Sequence, residues 1–241
     1  MAQTPPAWVQ ERIAVAGTDL RVGLAPPWLV ADLGRVRRVL SFAPYRPGFR
    51  SARHILIRQV RDADLPPDLD AMGWLGAEMA RIGHGGDVGM MTSRGLEHHR
   101  LAQAGPVACV ATVGLGNAER VGRRRMVSTS GYGTINIALL IEDGLTDAAM
   151  IEALSIVAQA RTAAILTAGV ELPTGRATGT GTDCIALACN PGKTAFAGLH
   201  TPLGEVIGAA VHDAVLDGAR AWIASHGRRP AISPGPVPPP A

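Results

Sequence analysis

The sequence predicts an α/β fold, a single domain in which a mixed β-sheet is covered by helices and opened by an N-terminal β-hairpin. Three observations carry this. Strand-like and helix-like apolar runs interleave along the chain; the first two strand candidates are joined by a tight turn; and 241 residues suffice for one well-buried core, with no internal linker to divide it. Residues 1–228 are expected to form the domain. Residues 229–241 read as a disordered Pro-rich tail, too proline-rich to pack.

Arg12 to Leu24 alternates Ile13, Val15, Leu20, Val22 and Leu24 around the turn-forming Gly17-Thr18-Asp19, which predicts the hairpin. Further strands are expected at Arg38 to Ala43, His54 to Val60, Asp87 to Met91, Val107 to Val113, Thr134 to Ile141 and Cys184 to Cys189. Helices are expected at Leu69 to Ile82 and Leu96 to Ala104. A stronger helix runs from Asp147 to Ala168, capped by Thr146 and stopped by Gly169, and another from Pro202 to about Ser225, with Thr201 as N-cap and Gly227 beyond its end. Short connections beside the hairpin argue for a mixed sheet over a purely parallel one.

Hydrophobic residues make up 47% of the chain but aromatics only 4%, so the core must be built of small aliphatic side chains around many glycines. The net charge of +3 is gathered in local clusters, Arg35 to Arg38, Arg120 to Arg125 and Arg228 to Arg229, with few aromatics near them to stack bases, and no nucleic-acid partner is implied. Two of the three cysteines, Cys109, Cys184 and Cys189, sit inside apolar strand-like runs, which fits a reducing cytoplasm. Neither a leader-like N-terminus nor an uninterrupted apolar stretch of about 18 residues signals export or a membrane. The sequence leaves the oligomeric state open.

Several familiar patterns fail. Gly192-Lys193-Thr194 ends like a phosphate loop, but Leu187 stands where its first glycine belongs. Gly179-Thr180-Gly181 begins a dinucleotide fingerprint that Cys184 breaks, and Gly114-Leu115-Gly116 is broken by Glu119. His98-His99 has no nearby Cys or Asp to complete a metal set, and no structural metal site is expected.

Other segments carry possible chemistry. Thr174 to Asp183 strings three glycines and four threonines before a strand, so that Gly179, Thr180, Gly181 and Thr182 can approach a ligand while Asp183 accepts a proton or orients a donor; an ordinary glycine-rich turn explains it equally well. His200, Thr201 and Glu205 stand at the start of the last helix, whose dipole favours an ionised Glu205 and a neutral His200 base. First-turn Glu is also common for helix stability alone. His212, two turns on, shares that face. Asn136, with Thr134 at the entrance of an apolar strand, either donates to a substrate carbonyl or ties backbone groups together, and Asn117 past another strand end invites the same two readings. Asp183, Glu205 and His200 together leave a divalent ion open.

Taken in order, TVGLGNA (Thr112 to Ala118), GTINIALL (Gly133 to Leu140), GTGTD (Gly179 to Asp183) and HTPLGEVIG (His200 to Gly208), with VGMMTS (Val88 to Ser93) upstream, resemble the adenosylcobinamide amidohydrolase family from about Val39 to Val215. The sequence departs from the pattern at Arg46-Pro47-Gly48, where an Asn-Gly-Gly-like turn belongs, and near Ile57, where an Asn is missing.

The resemblance implies hydrolysis of the amide that joins aminopropanol to a corrinoid propionate, releasing adenosylcobyric acid for salvage, or remodelling of cobamides such as pseudocobalamin. The substrate would bring its own cobalt, and no cofactor of the protein is required. On this view His200, supported by Glu205 or Asp183, activates water, and Asn136 with the 179–182 loop amides stabilises the oxyanion; Thr180 or Thr182 as a covalent nucleophile is the variant. Asn117, Thr134 and Thr201 are expected to bind substrate. A non-catalytic corrinoid-binding protein is the alternative, and a nucleotide-binding enzyme is a third reading.

Overall fold

In the computed structural model, which describes residues 12–66, 68–123 and 133–226, β-alternation sorts the apolar side chains onto two faces of one curled sheet. Its strands are β1 (Arg12–Ala14), β2 (Arg21–Ala25), β3 (Trp28–Ser41), β4 (Gly48–Gln59), β5 (Val88–Thr92), β6 (Arg100–Ala104), β7 (Val107–Val113), β9 (Ile135–Leu145) and β13 (Cys184–Pro191). Short pairs add β8 (Ala118–Glu119) with β12 (Gly179–Thr180), and β10 (Glu171–Leu172) with β11 (Gly175–Arg176). The order β1-β2-β3-β13-β9-β7-β6 is extended by β4, which pairs with β3 and β5. β9 and β13 are parallel, as are β4 and β5, while β3 meets β13 antiparallel. The sheet is therefore mixed, and β1 and β2 form the opening hairpin.

On one face, Val107, Cys109, Ala111 and Val113 of β7, Ile135, Ile137, Leu139 and Ile141 of β9, and Ile185, Leu187 and Cys189 of β13 pack beneath two helices. These are α2 (Asp147–Ala168) and α3 (Pro202–His226). α2 is apolar and long enough to cross a membrane by composition alone, but 44% of its most apolar window is buried, between the sheet and α3. On the other face, Ala108, Val110, Ala138, Leu140, Ala186 and Ala188 meet Leu29, Ala31, Ile55, Ile57, Val88 and Met90 inside the curl. The outer side of β3 and β4 is covered by α1 (Ala71–Arg81), through Trp28, Val30, Leu56, Leu75 and Met79.

The helix termini follow their caps. Thr146 accepts from the Ala149 amide at 3.2 Å, Gly169 closes α2 at φ 73°, and Thr201 accepts from the Gly204 amide at 2.9 Å. Two expectations are corrected. Leu96 to Ala104 is not a helix: Leu96–His98 makes one 3-10 turn and Arg100–Ala104 is β6, because an edge of β7 is available for pairing and overrides local propensity. The strand expected at Arg38 to Ala43 begins ten residues earlier, at Trp28, where β3 passes through an irregularity between Asp32 and Arg37 with Gly34 at φ 76°. That kink is held by Arg37, buried, which donates to Asp19 at 2.7 Å and pairs with Glu142 at 2.8 Å. The expected tail at 229–241, and most of the basic segment from Arg120 to Ser130, lie outside the described residues.

Candidate active site

The β9–β13 register, with Asn136 opposite Cys184, continues backward to set Thr134 beside Thr182 just before the strands begin. β7 approaches from the other side, so that the Gly114 amide donates to Thr134 O at 3.0 Å. The backbones crowd here. A Cβ on Gly133 would stand 2.5 Å from the Gly116 nitrogen, so only glycine allows the approach. β12 pairs with β8, Gly179 opposite Glu119, and brings the 179–182 loop against Asn117, whose carbonyl accepts from the Gly181 amide at 3.3 Å.

Hydroxyl and amide groups converge at this junction. The Thr182 hydroxyl donates to Gly133 O at 3.0 Å, accepts from Asn117 Nδ2 at 3.2 Å and is in short contact with the Thr134 hydroxyl. They form the polar end of a cleft of about 460 Å³, whose other walls include Phe42, Pro44, Val60, Leu65 and Met91, with Ser93 and Cys184 also on the lining. A small polar focus with apolar walls is the usual make-up of a ligand site.

Asp183 lies on the lining, but its oxygens are already engaged. Oδ1 accepts from the Ile135 amide at 3.2 Å and from the Thr180 hydroxyl; Oδ2 accepts from the Thr180 amide at 3.0 Å and pairs closely with Arg161 of α2. Four donors match the lone-pair positions of one carboxylate, which makes Asp183 an anchor for the loop, with no free lone pair for a proton from substrate. Burial lowers the Arg161 pKa from its ordinary value, and a Cβ on Gly179 would lie 2.5 Å from both Arg161 Nη1 and Asp183 Oδ2. Here the loop's glycine makes room for an ion pair. Arg161 was not anticipated from the sequence, where a lone arginine within the apolar run of α2 was the available signal.

Asn136 is fully buried, and its Nδ2 donates to Met91 O at 2.8 Å and to the Thr112 hydroxyl at 3.3 Å. Of its two readings, the geometry shows the tie: both amide hydrogens are spent within the protein. Cys184 is kept a thiol, its pKa pushed up to about 11 by burial.

The structure does not bring His200, Thr201 and Glu205 to this cleft within one chain. α3 starts beside the β6–β7 turn, where a Cβ on Gly105 would lie 3.5 Å from Val206, and reaches Val113 at the cleft end only by Gly218, 2.7 Å by the same measure. At 1.5 Å per residue the separation is about 20 Å. His200 and Glu205 are both exposed, and Thr201 caps the helix. The expected joint work of His200 with Asp183 and Asn136 is therefore not available in one chain, because helix length separates what sequence order suggested. His212, also on α3, donates from Nδ1 to its neighbour Asp213 Oδ1 at 3.2 Å.

The fold and cleft define an α/β protein with a cleft, hydroxyl-lined at one end, at the seam of a curled mixed sheet. The adenosylcobinamide amidohydrolase family matches residues 14–227, and the chain belongs to that family. It is 34% identical over 135 residues to the adenosylcobinamide amidohydrolase of Halobacterium salinarum, covering 52% of this chain and 55% of that protein. It is also 35% identical over 97 residues to an uncharacterized protein of Methanocaldococcus jannaschii, covering 39% of this chain and 38% of that one. The chain thus spans about half or less of the length of these curated relatives.

Proposed function

We propose that this chain hydrolyses the amide linking aminopropanol to the corrin ring, converting adenosylcobinamide to adenosylcobyric acid, or cleaving the corresponding bond of a cobamide such as pseudocobalamin. Family membership supports the reaction class, and the single structural observation that carries the reading is the Thr134, Thr182 and Asn117 cluster at the polar end of an otherwise apolar cleft. The cleft would take the amide arm and the ring's edge, with the broad macrocycle lying across the apolar walls.

Water adds across the amide, its oxygen to the carbonyl carbon and a proton to the departing amine. Thr182 and Thr134 hydroxyls orient the attacking oxygen, and Asn117 Nδ2, 3.2 Å from the Thr182 hydroxyl, is placed to turn toward developing negative charge. Thr182 as covalent nucleophile is the variant. Asp183 and Arg161 hold the loop. The substrate's cobalt arrives as part of the corrinoid, and the chemistry draws on protein groups and water without a further cofactor. A reducing cytoplasm suits the three free cysteines.

The test is incubation with adenosylcobinamide, pseudocobalamin and cobalamin separately, with products resolved by chromatography and mass detection. Adenosylcobyric acid is the expected product, lost by at least 100-fold in Thr182→Ala and partly retained in Thr182→Ser. Saturable corrinoid binding without cleavage would establish the non-catalytic alternative. The absence of both binding and cleavage would overturn the corrinoid reading, and nucleotides are expected to give no stabilisation.

A further inference from the structure

A second cluster of ionisable side chains lies at the opposite end of β5 from the cleft. Asp87 Oδ1 accepts from the backbone amides of Arg53 at 2.9 Å and His54 at 2.8 Å, which fixes the carboxylate's orientation. Asp87 Oδ2 meets Nδ1 of His54 at 3.0 Å and Nδ1 of His84, in the turn after α1, at 2.7 Å. The two rings stand edge to face with centroids 4.7 Å apart. One ligand atom from each of the three side chains lies within 4.8 Å of the others. The side chains of His54, His84 and Asp87 are 17%, 13% and 12% exposed, largely desolvated yet reachable.

We propose that His54, His84 and Asp87 form a binding site for a divalent transition-metal ion of the zinc type, separate from the corrinoid cleft. A tetrahedral ion with ligands at about 2.0–2.1 Å holds them roughly 3.3 Å apart, so the observed 2.7 and 3.0 Å would open by about 0.6 and 0.3 Å, with the two imidazole nitrogens, already within 4.8 Å of each other, adjusting to the same spacing. Two imidazole nitrogens and one carboxylate oxygen suit zinc, cobalt or nickel, whereas calcium and magnesium take mainly oxygen ligands. The ion would displace the Nδ1 protons and leave each ring protonated at Nε2. For His54 that nitrogen faces Asp32 Oδ1 at 3.7 Å, and Asp32 is itself held by the Gly34 amide at 3.0 Å and Arg53 Nε at 3.2 Å. Closed from 3.7 Å to hydrogen-bond distance as the ring settles on the ion, the His54–Asp32 contact would become the carboxylate-to-histidine support that orients metal-bound imidazoles. Among these groups Arg53 is the cation that offsets Asp32, leaving Asp87 to meet the charge of the ion. None of the three ligands lines the cleft. The ion's role is to tie β4 to the turn between α1 and β5.

The test uses the whole chain, stripped with chelator and titrated with Co²⁺, with visible absorption and bound-metal analysis as readouts and Zn²⁺-dependent melting in parallel. The expected result is one tightly bound equivalent with the d–d bands of a four-coordinate ion, no near-ultraviolet thiolate band, and a higher melting temperature. His54→Ala and His84→Ala are each expected to weaken binding at least 100-fold, and Asp32→Asn by about 10-fold. A His98→Ala, His99→Ala double variant should bind as the parent does. His84→Gln, checked by circular dichroism without metal, serves if an alanine variant fails to fold. No stoichiometric binding by the folded parent, or binding undiminished in folded His54 and His84 variants, would overturn the proposal and leave the cluster a hydrogen-bonded clamp.

Discussion

Asp183 and Cys184 are neighbours on the cleft, and their surroundings give each an unexpected character. Replacing Asp183 with Asn would leave the Arg161 guanidinium in a largely buried position without its charge partner, at a cost of about 3 kcal/mol in folding stability. Denaturant unfolding is the measurement, and adding Arg161→Met should recover part of the loss. An Asp183→Asn protein of parental stability but no turnover would instead assign the carboxylate to the chemistry. For Cys184 the burial that pushes its pKa up to about 11 makes thiolate scarce at neutral pH, the opposite of an activated nucleophile. Alkylation of Cys184 at pH 8, followed by mass spectrometry, should be about two orders of magnitude slower than that of a free cysteine with its pKa near 8.5, and should accelerate only as pH rises toward 11. Cys184→Ala should keep its turnover.

At the level of elements, much of the fold could be read directly because period and caps agreed. β7 and α2 occupy the spans their sequences suggest, since Val107 to Val113 is uniformly apolar and Thr146 and Gly169 bracket α2. The first half of β3 was hidden because Asp32 and Arg37, both buried, interrupt its apolar run at the kink, and β6 was hidden because its residues carry helix propensity while β7 supplies the pairing. The site divided in the same way. That Thr134, Thr182 and Asn117 come together is legible because glycine-rich loops at strand ends announce a close approach; the separation of His200 from them is not, since nothing in local sequence states which end of the sheet a helix begins on. His200→Ala is accordingly expected to retain at least half of the parent's kcat/KM. A loss above 100-fold in a folded variant would place that imidazole in the reaction, delivered by a second copy of the chain.

Across the whole molecule, the two apolar faces of the sheet support different tasks. The helix-covered face, with α2 and α3 packed on β7, β9 and β13, makes a rigid platform whose strand ends position Thr134 and Thr182. The inner face draws β3, β4 and β5 around into the curl, and the cleft opens where that curl meets the ends of β7 and β9. Across this gap Asn136 reaches from β9 to the Met91 carbonyl of β5, strands that are not ladder partners in the sheet. Its side chain therefore works as a tie beside the mouth: a bulky guest that spreads β5 from β9 must strain that amide together with the packing of Val88 and Met90 against Ala138 and Leu140.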